Sequence, residues 1–570
     1  MEIWMKSGET GEWEVVGTTS GTVEIPECAN RYFKLPNLTI DTAEQHKAEL
    51  TRLGIKRVEM PVDIVDNASL KHYVNIGLLK NITSLRFLYC ENLNDITPLA
   101  KLTNLSELSL NWCHKPRDLR PLAKLTNLTY LNLRCSIESD LTPLASLKNL
   151  TCLSLCASLV MDLTPLAKLT KLTELNLNCH HLSNIAPLAK LTNLKELSLS
   201  SDGLTDLTPL ASLTKLTELD LAGKNLKDIT PLAKLTNLKT LCLDCENLAN
   251  LTPLASLTNL TELLLGEGDR VTSPALRNLT DISPLAKLTN LRRLDLSHCS
   301  DLTDLTPLAS LTNLTELNLS NCSHLKDLTP LAKLTNLTKL DLSDYLWQKD
   351  LAPLANLTNL TELATSCPKD LKDFAELGKL TNLKKLALTK MSDITPLAHF
   401  TNLTSLELIL ADDLGDLTPL AKLTNLKSLK FNCCEKLTDL SPLAKLTNLR
   451  SLVLKSCKEL TDLTSLGELT RLTSLEVSYC DDLTDITPLA GLTNLTSLDL
   501  TSCRNLPNVT PLAKLTNLTE LDLVSCYTLD GLTPLANLKK LERLDLFDTH
   551  FSDSERNALK KQLPNCSITQ

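Results

Sequence analysis

Aromatic residues make up only 3% of this 570-residue chain. Protein interfaces draw their strongest contacts from Trp, Tyr and Arg, so a surface this poor in rings offers few ready anchors. No stretch approaches the roughly 18 consecutive apolar residues of a membrane-spanning helix. There is no glycine-rich phosphate-binding loop and no Ser-His-Asp or Cys-His arrangement in a recognisable motif, which argues against catalysis. Positive charge is not in excess. The formal net charge is −9, which argues against general nucleic-acid binding. The opening MEIWMKSGETGEWEVV has no basic segment followed by an apolar run, so it does not read as a secretory leader. The last residues carry no anchor signal.

What the chain does have is one short phrase, repeated. Thr-Pro-Leu-Ala or a close variant places prolines at 143, 165, 187, 209, 231 and 253, an interval of 22 residues. From Pro284 onward the interval is mostly 23, as in Pro284, Pro307, Pro330 and Pro353. A fixed period in this range marks stacked repeats. Identical units build a long surface rather than one unique pocket, which again points away from an enzyme.

The segment DISPLAKLTNLRRLDLSHC, ending at Cys299, shows what one unit encodes. Leu291, Leu294 and Leu296 are spaced L-x-x-L-x-L, and Cys299 and Leu302 follow. A strand alternates its side chains, so Leu294 and Leu296 face inward while Arg293 and Asp295 face outward. Ser283 before Pro284 reads as a cap followed by proline at the first helical position. Leu285 and Leu288 then face inward from a short helical or 3₁₀ turn. One unit buries too little to stand alone, and stacking closes the core. Roughly twenty strands about 4.8 Å apart give a ladder of order 100 Å.

The run LTPLAKLTNLTELDL resembles the repeats of the leucine-rich-repeat family, and the first half is most similar to the bacterial internalin type. The spacing around Cys299 matches L-x-x-L-x-L-x-x-N/C-x-L with one residue added after the cysteine. LDLSHC, LNLSNC, LVLKSC, LDLTSC and LDLVSC resemble the cysteine-containing repeat class. The resemblance covers about residues 53 to 547. It implies an α/β fold, a right-handed solenoid with a concave parallel sheet and convex short turns. It also implies protein binding as the usual role, without naming a partner.

The expected organisation has three parts. Residues 1–52 form an N-terminal cap with short strands and a helix over about 42–53. Residues 53–547 form the solenoid, interrupted by a turn-rich loop at 266–276 and by disturbed spacing from Cys367 to Met391, where Glu376 replaces the proline. Residues 548–570 form a C-terminal cap helix over about 554–562.

The concave strand positions are the default binding surface. One column carries Glu107, Glu174, Glu196, Glu218, Glu262, Glu316, Glu362 and Glu520. The next carries Asp220, Asp295, Asp341, Asp499, Asp522 and Asp545. Charge of one sign on such a face would steer a basic partner. Departures from the repeat add candidate anchors: Arg292, Arg293, Tyr345 and Trp347, with Trp112, His114 and Tyr479 elsewhere. Another acidic column, Asp281, Asp304, Asp327 and their equivalents, precedes each turn. It reads as capping of backbone N–H groups rather than as Ca²⁺ ligation, which needs a dedicated loop. Cys179-His180-His181 lacks a second ligand pair at zinc spacing. No metal and no cofactor is expected.

Cysteines occupy one inward slot, as at Cys90, Cys113, Cys299, Cys322, Cys434, Cys457, Cys480, Cys503 and Cys526. Such a column packs as free thiol and places the chain in a reducing compartment, the cytoplasm. Frequent sequons such as Asn259-Leu-Thr261 are by-products of the unit. The expectation is therefore a monomeric, non-enzymatic scaffold that binds a partner protein, with a basic patch, on its concave face. The alternative is an internalin-like adhesin or host-directed effector at the cell surface or exported.

Overall fold

The computed structural model describes residues 2–7, 13–18, 31–34, 38–39, 41–52, 55–60, 65–90, 92–111, 113, 118–134, 140–266, 276, 278–343, 350–366, 371–411 and 413–569. The chain divides into two units, Met1–Leu291 and Arg292–Gln570. Each is an open solenoid of stacked repeats. One strand and one 3₁₀ turn make up a repeat, and the strands of successive repeats pair in parallel.

The strands form where L-x-L alternation demands it. In the first unit Leu175, Leu197, Leu219, Leu241 and Leu263 stand in register, and each is at most 2% exposed. In the second, Leu294 and Leu296 are fully buried as expected. Full burial of a leucine contributes about 1.5–3 kcal/mol.

The turns are five-residue 3₁₀ segments such as Thr97–Lys101 and Ser283–Lys287. A chain of i→i+3 bonds runs through each: Leu285 N–H donates to Ile282, Leu288 to Leu285 and Leu291 to Leu288, at 2.9–3.0 Å. The first N–H groups of such a turn have no internal partner. The sequence disposes of both. Proline has none to satisfy, and the N–H of the residue before it donates to an Asp carboxylate two residues back. Ser283 donates to Asp281 Oδ1 at 2.8 Å, and Thr464 to Asp462 Oδ1 at 2.7 Å. The cap is thus the aspartate. Ser283 makes no capping bond, because it already sits inside the turn.

The longer repeat differs from the shorter by one residue placed between the last strand leucine and the cysteine. That residue takes the left-handed conformation: φ is 61° at His298, 54° at Leu410, 56° at Tyr479 and 57° at Ser502. Its N–H still reaches the next repeat, as from Tyr479 to the Thr501 carbonyl at 2.9 Å. In the shorter repeat the cysteine-slot residue does this itself, as from Cys179 to Ser200 at 2.9 Å.

Sixteen cysteines among the described residues are free. Those of the column are buried, and in the second unit several donate to the last strand leucine or valine of the preceding repeat: Cys503 to Val477 O at 3.0 Å, Cys526 to Leu500 O at 3.1 Å. The sequon asparagines also join repeats. Asn259 Nδ2 donates to Thr236 O and Asn336 Nδ2 to Thr312 O, both at 2.9 Å.

At the start of the first unit, Glu2–Ser7 pairs antiparallel with Trp13–Thr18 and Arg31–Lys34. Arg31–Lys34 then pairs parallel with Arg57–Glu59, which joins the ladder. The expected helix runs Ala43–Arg52. A second helix, Asn67–Asn75, is capped by Asp66 and Ser69 reciprocally. In the second unit the disturbed spacing folds as a helix, Leu371–Glu376, whose Phe374 ring lies 5.5 Å from that of Phe400. The closing helix Asp553–Gln562 has a capping box between Ser552 and Glu555. An unforeseen strand, Ser567–Thr569, then pairs with Arg543–Asp545. Among the described residues no helix is long and apolar enough to cross a membrane.

Candidate functional site

The outward strand positions form rows that cross the sheet, because parallel register places equivalent residues side by side. In the first unit one row reads Glu174, Glu196, Glu218, Thr240, Glu262. Glu174, Glu196 and Glu218 are exposed, with no ion pair among the described residues. They stand at the strand spacing, about 4.8 Å. Burial, then the charges of Glu218 and Glu174, hold the Glu196 carboxyl above its ordinary range. Beside them run Asn176, Ser198, Asp220 and Cys242, with the Ser198 hydroxyl 2.9 Å from Asp220 Oδ2. These residues line a shallow groove of about 230 Å³.

The second unit overturns the one-sign reading of the same row. Its register is Arg293, Glu316, Lys339, Glu362, Lys385. The signs alternate, and neighbours pair: Arg293 Nε lies 3.7 Å and Lys339 Nζ 3.0 Å from Glu316, and Lys385 Nζ lies 2.8 Å from Glu362. Glu316 therefore offers a partner no free charge. Basic residues share the slot with the acidic ones, as Lys339 in TKLDL and Lys385 in KKLAL. Beyond Lys385 the row is serine from Ser405 to Ser497. Glu107 is also engaged, clamped by Arg57 at 2.8 and 3.0 Å.

The aspartate row is largely structural. Asp295 is 8% exposed. Its Oδ1 accepts from Ser297 N–H at 2.8 Å and its Oδ2 from Asn318 Nδ2 at 3.0 Å. Asp341 accepts from Ser343 N–H at 2.8 Å and Asp499 from Thr501 N–H at 2.7 Å. A short side-chain acceptor here bends the chain out of the strand, so the strands Arg293–Asp295 and Ser497–Asp499 end at it. Burial raises the Asp522 carboxyl, opposed by Arg543 3.3 Å away.

The expected anchors divide. Arg292 is exposed and without an ion pair among the described residues. Tyr479 is 45% exposed in its left-handed turn, with Lys455 Nζ 5.9 Å from the ring centroid. Tyr345, Trp347, Trp112 and His114 lie outside the described residues, as does nearly all of the loop 266–276. Sequence reasoning also missed a buried pair on the sheet face. Arg86 and Glu59, each with a side chain 5% exposed, lie 3.6 Å apart.

Among the described residues no cluster of His, Cys, Asp or Glu has the arrangement of a metal site. The aspartates before the turns are spent on N–H groups. Hydrogen bonds from the following Thr or Ser lower their pKa, as at Asp281 and Asp304. The buried thiols are driven the other way by desolvation, Cys179 to about 11 and Cys245 to about 12.

Repeat length, L-x-x-L-x-L strands, 3₁₀ turns and a buried cysteine column define a class, and the comparisons agree. Family models match as Leucine Rich repeats (2 copies) over 170–212, 192–234 and 214–256, as Zer-1-like, Leucine-rich repeats over 282–369, and as BspA type Leucine rich repeat region (6 copies) over 412–542. These matches take in more than half of the sequence, and the chain belongs to the leucine-rich-repeat family. Its repeats are internalin-like: the internalin inlF from Listeria monocytogenes is 30% identical, over 66% of this chain and 85% of that one, with a TM-score of 0.33. A TLR13–ssRNA13 complex matches at 20% identity over 89% of this chain and 83% of the other, TM-score 0.57. The mouse RP105/MD-1 complex matches at 20% over 90% of each, TM-score 0.56. No curated protein sequence matches the chain.

Proposed function

We propose that this chain is a non-enzymatic interaction scaffold that binds a partner protein through a basic patch on the sheet face of the first unit. The observation that carries the reading is the row Glu174, Glu196, Glu218, exposed, in register and unpaired among the described residues. Like charges at this spacing repel. A partner's Lys or Arg relieves that repulsion, and the row raises the rate at which such a partner is encountered. The fold is one generally used for interaction scaffolds, and the RP105 structure holds MD-1. The TLR13 structure holds single-stranded RNA. Here the acidic row and the net charge of −9 oppose a phosphate backbone.

The test is affinity capture from native cells, then titration of the recovered partner against Glu174→Gln/Glu196→Gln/Glu218→Gln. The triple variant should weaken binding roughly ten-fold or more, and added salt should weaken the wild-type complex steeply. A partner indifferent to both sinks the reading. We further propose a monomer in the cytoplasm, on the support of the free cysteine column. Likeness to inlF favours a second reading, an exported adhesin or effector. Fractionation of the native cells decides between them.

A further inference from the structure

The sheet face of the second unit changes character past residue 362. Ala364 and Ala387 stand in the row that carries Asp341 before them and Glu407 after. The floor dips there, beneath a groove of about 550 Å³ that runs from Arg293 to Lys430. This is also where the repeat is irregular, with the helix Leu371–Glu376 in place of a proline turn. Past the dip the floor is a row of hydroxyls, Ser405, Ser428, Ser451 and Ser474, in register.

Cations flank this row on both sides. Lys384, Lys427 and Arg450 lie just ahead of their strands, aligned with Thr404 through N–H bonds of 2.8 Å from each to the carbonyl of the one before. Lys430 and Lys455 rise from the strands themselves. All five are exposed or half-exposed, and none has an ion pair among the described residues. Fewer carboxylates than cations stand on this stretch, Glu407 opposite Lys430 in register and Glu476 two strands on, with Glu362 ahead of them. Glu362 pairs with Lys385 at 2.8 Å, Glu407 accepts from Asn432 Nδ2 at 2.7 Å, and Glu476 accepts from the Ser478 hydroxyl at 2.7 Å.

From this surplus of unpaired cations over small hydroxyl side chains we infer that residues 384–455 form a docking groove for an extended, carboxylate-rich polypeptide segment. Small side chains let a peptide backbone approach the floor, and each serine hydroxyl can donate to or accept from it. Exposed Lys and Arg on either side meet carboxylates from an extended strand, whose side chains alternate in direction. From Lys384 to Arg450 is three strand spacings, about 14 Å, which an extended peptide covers with about four residues. One exposed ring, Tyr479, stands at the edge beside Lys455, and a single ring is not the succession of stacking platforms that single-stranded nucleic acid normally uses. The surface is separate from the acidic row of the first unit and of opposite sign.

The test uses the full chain and fluorescence polarisation with three labelled probes. These are an alternating Glu–Ala peptide of about eight residues, its Lys–Ala counterpart, and a single-stranded RNA of equal charge. The Glu–Ala peptide should bind. Lys427→Glu/Arg450→Glu should weaken it by roughly ten-fold or more, with an unchanged melting temperature, because both side chains are exposed. Glu196→Gln should leave it unaltered while weakening the Lys–Ala peptide, so the two surfaces are read apart. No binding of the Glu–Ala peptide to wild type overturns the inference. So does equal binding by the Lys427→Glu/Arg450→Glu variant, or RNA binding more tightly than the peptide and displacing it.

Discussion

The ammonium of Lys339 lies 3.0 Å from the carboxylate of Glu316, directly opposite it in the adjacent strand. The equivalent positions of the first unit place Glu196 opposite Glu218. The same slot is self-neutralised in one unit and self-repelling in the other. Lys339→Gln should change stability by no more than about 1 kcal/mol, because the pair is exposed. Lys339→Glu puts three carboxylates side by side. It should destabilise somewhat more, and added salt should restore the loss. Urea unfolding at low and high salt measures both.

Acid should weaken the fold through its turns. Hydrogen bonds from Thr or Ser hold Asp162, Asp281, Asp304, Asp416 and Asp462 below the ordinary carboxylate range. A depressed pKa means the folded state binds fewer protons than the unfolded. That stabilisation is complete above the ordinary range and is lost as pH falls through the depressed values. Glu196 and Asp522, whose pKa is raised, act in the opposite sense and gain on protonation. The many aspartates should prevail, so the melting temperature falls below about pH 4. Asn184 and Asn250 already accept the same bond at 3.0 and 2.9 Å. Asp→Asn changes at several turns should therefore flatten the acid limb while keeping the fold at neutral pH. An unaltered limb would assign acid sensitivity elsewhere.

Neighbouring leucines should respond with opposite signs. Leu408 is fully buried, and Leu408→Ala should cost about 2–5 kcal/mol. Leu410 has φ 54°, where a side chain is unfavourable by roughly 1–2 kcal/mol. Leu410→Gly should leave stability unchanged or raise it by up to about 1 kcal/mol, since the freer unfolded chain offsets part of the relief. Leu294→Asp, at a fully buried site, should destabilise by several kcal/mol, whereas Glu316→Ala should be nearly neutral. Equivalent losses from Leu294→Asp and Glu316→Ala would contradict their opposite facing.

Thiol labelling should separate adjacent cysteines. Cys433 is half-exposed in a left-handed turn, and Cys434 beside it is buried. Folded protein near pH 8 should be modified at Cys433 and spared at Cys434 and Cys245, whose thiol burial pushes up to about 12. Denaturant should expose all three. Mass mapping after a short alkylation reads the order, and early modification of Cys434 would refute the inward slot.

Much of this protein was legible in its residues because the code is local. Period, strand and turn follow from spacing: Leu294 and Leu296 alternate, Pro284 follows an aspartate two residues before Ser283, and Cys299 is small enough for an inward slot. Local signals failed where a segment's partner lies one repeat away. Nothing near Glu316 in sequence shows that Lys339 neutralises it, and nothing near Asp295 shows that Asn318 of the next repeat donates to it. The helix Leu371–Glu376 fills the turn position of the repeat whose spacing is disturbed, and the helix Asn67–Asn75 has no counterpart among the sequence expectations.

The sequence by itself determined the repeat, its strands and turns, its buried leucines and its free thiols, since each depends on side chains a few positions apart. The tertiary structure alone decided which charges are available, because parallel register sets residue i beside residue i+22 or i+23. A carboxylate's surroundings are then fixed by its neighbours across the sheet, and those differ between Glu196 and Glu316 although the two occupy the same place in their repeats.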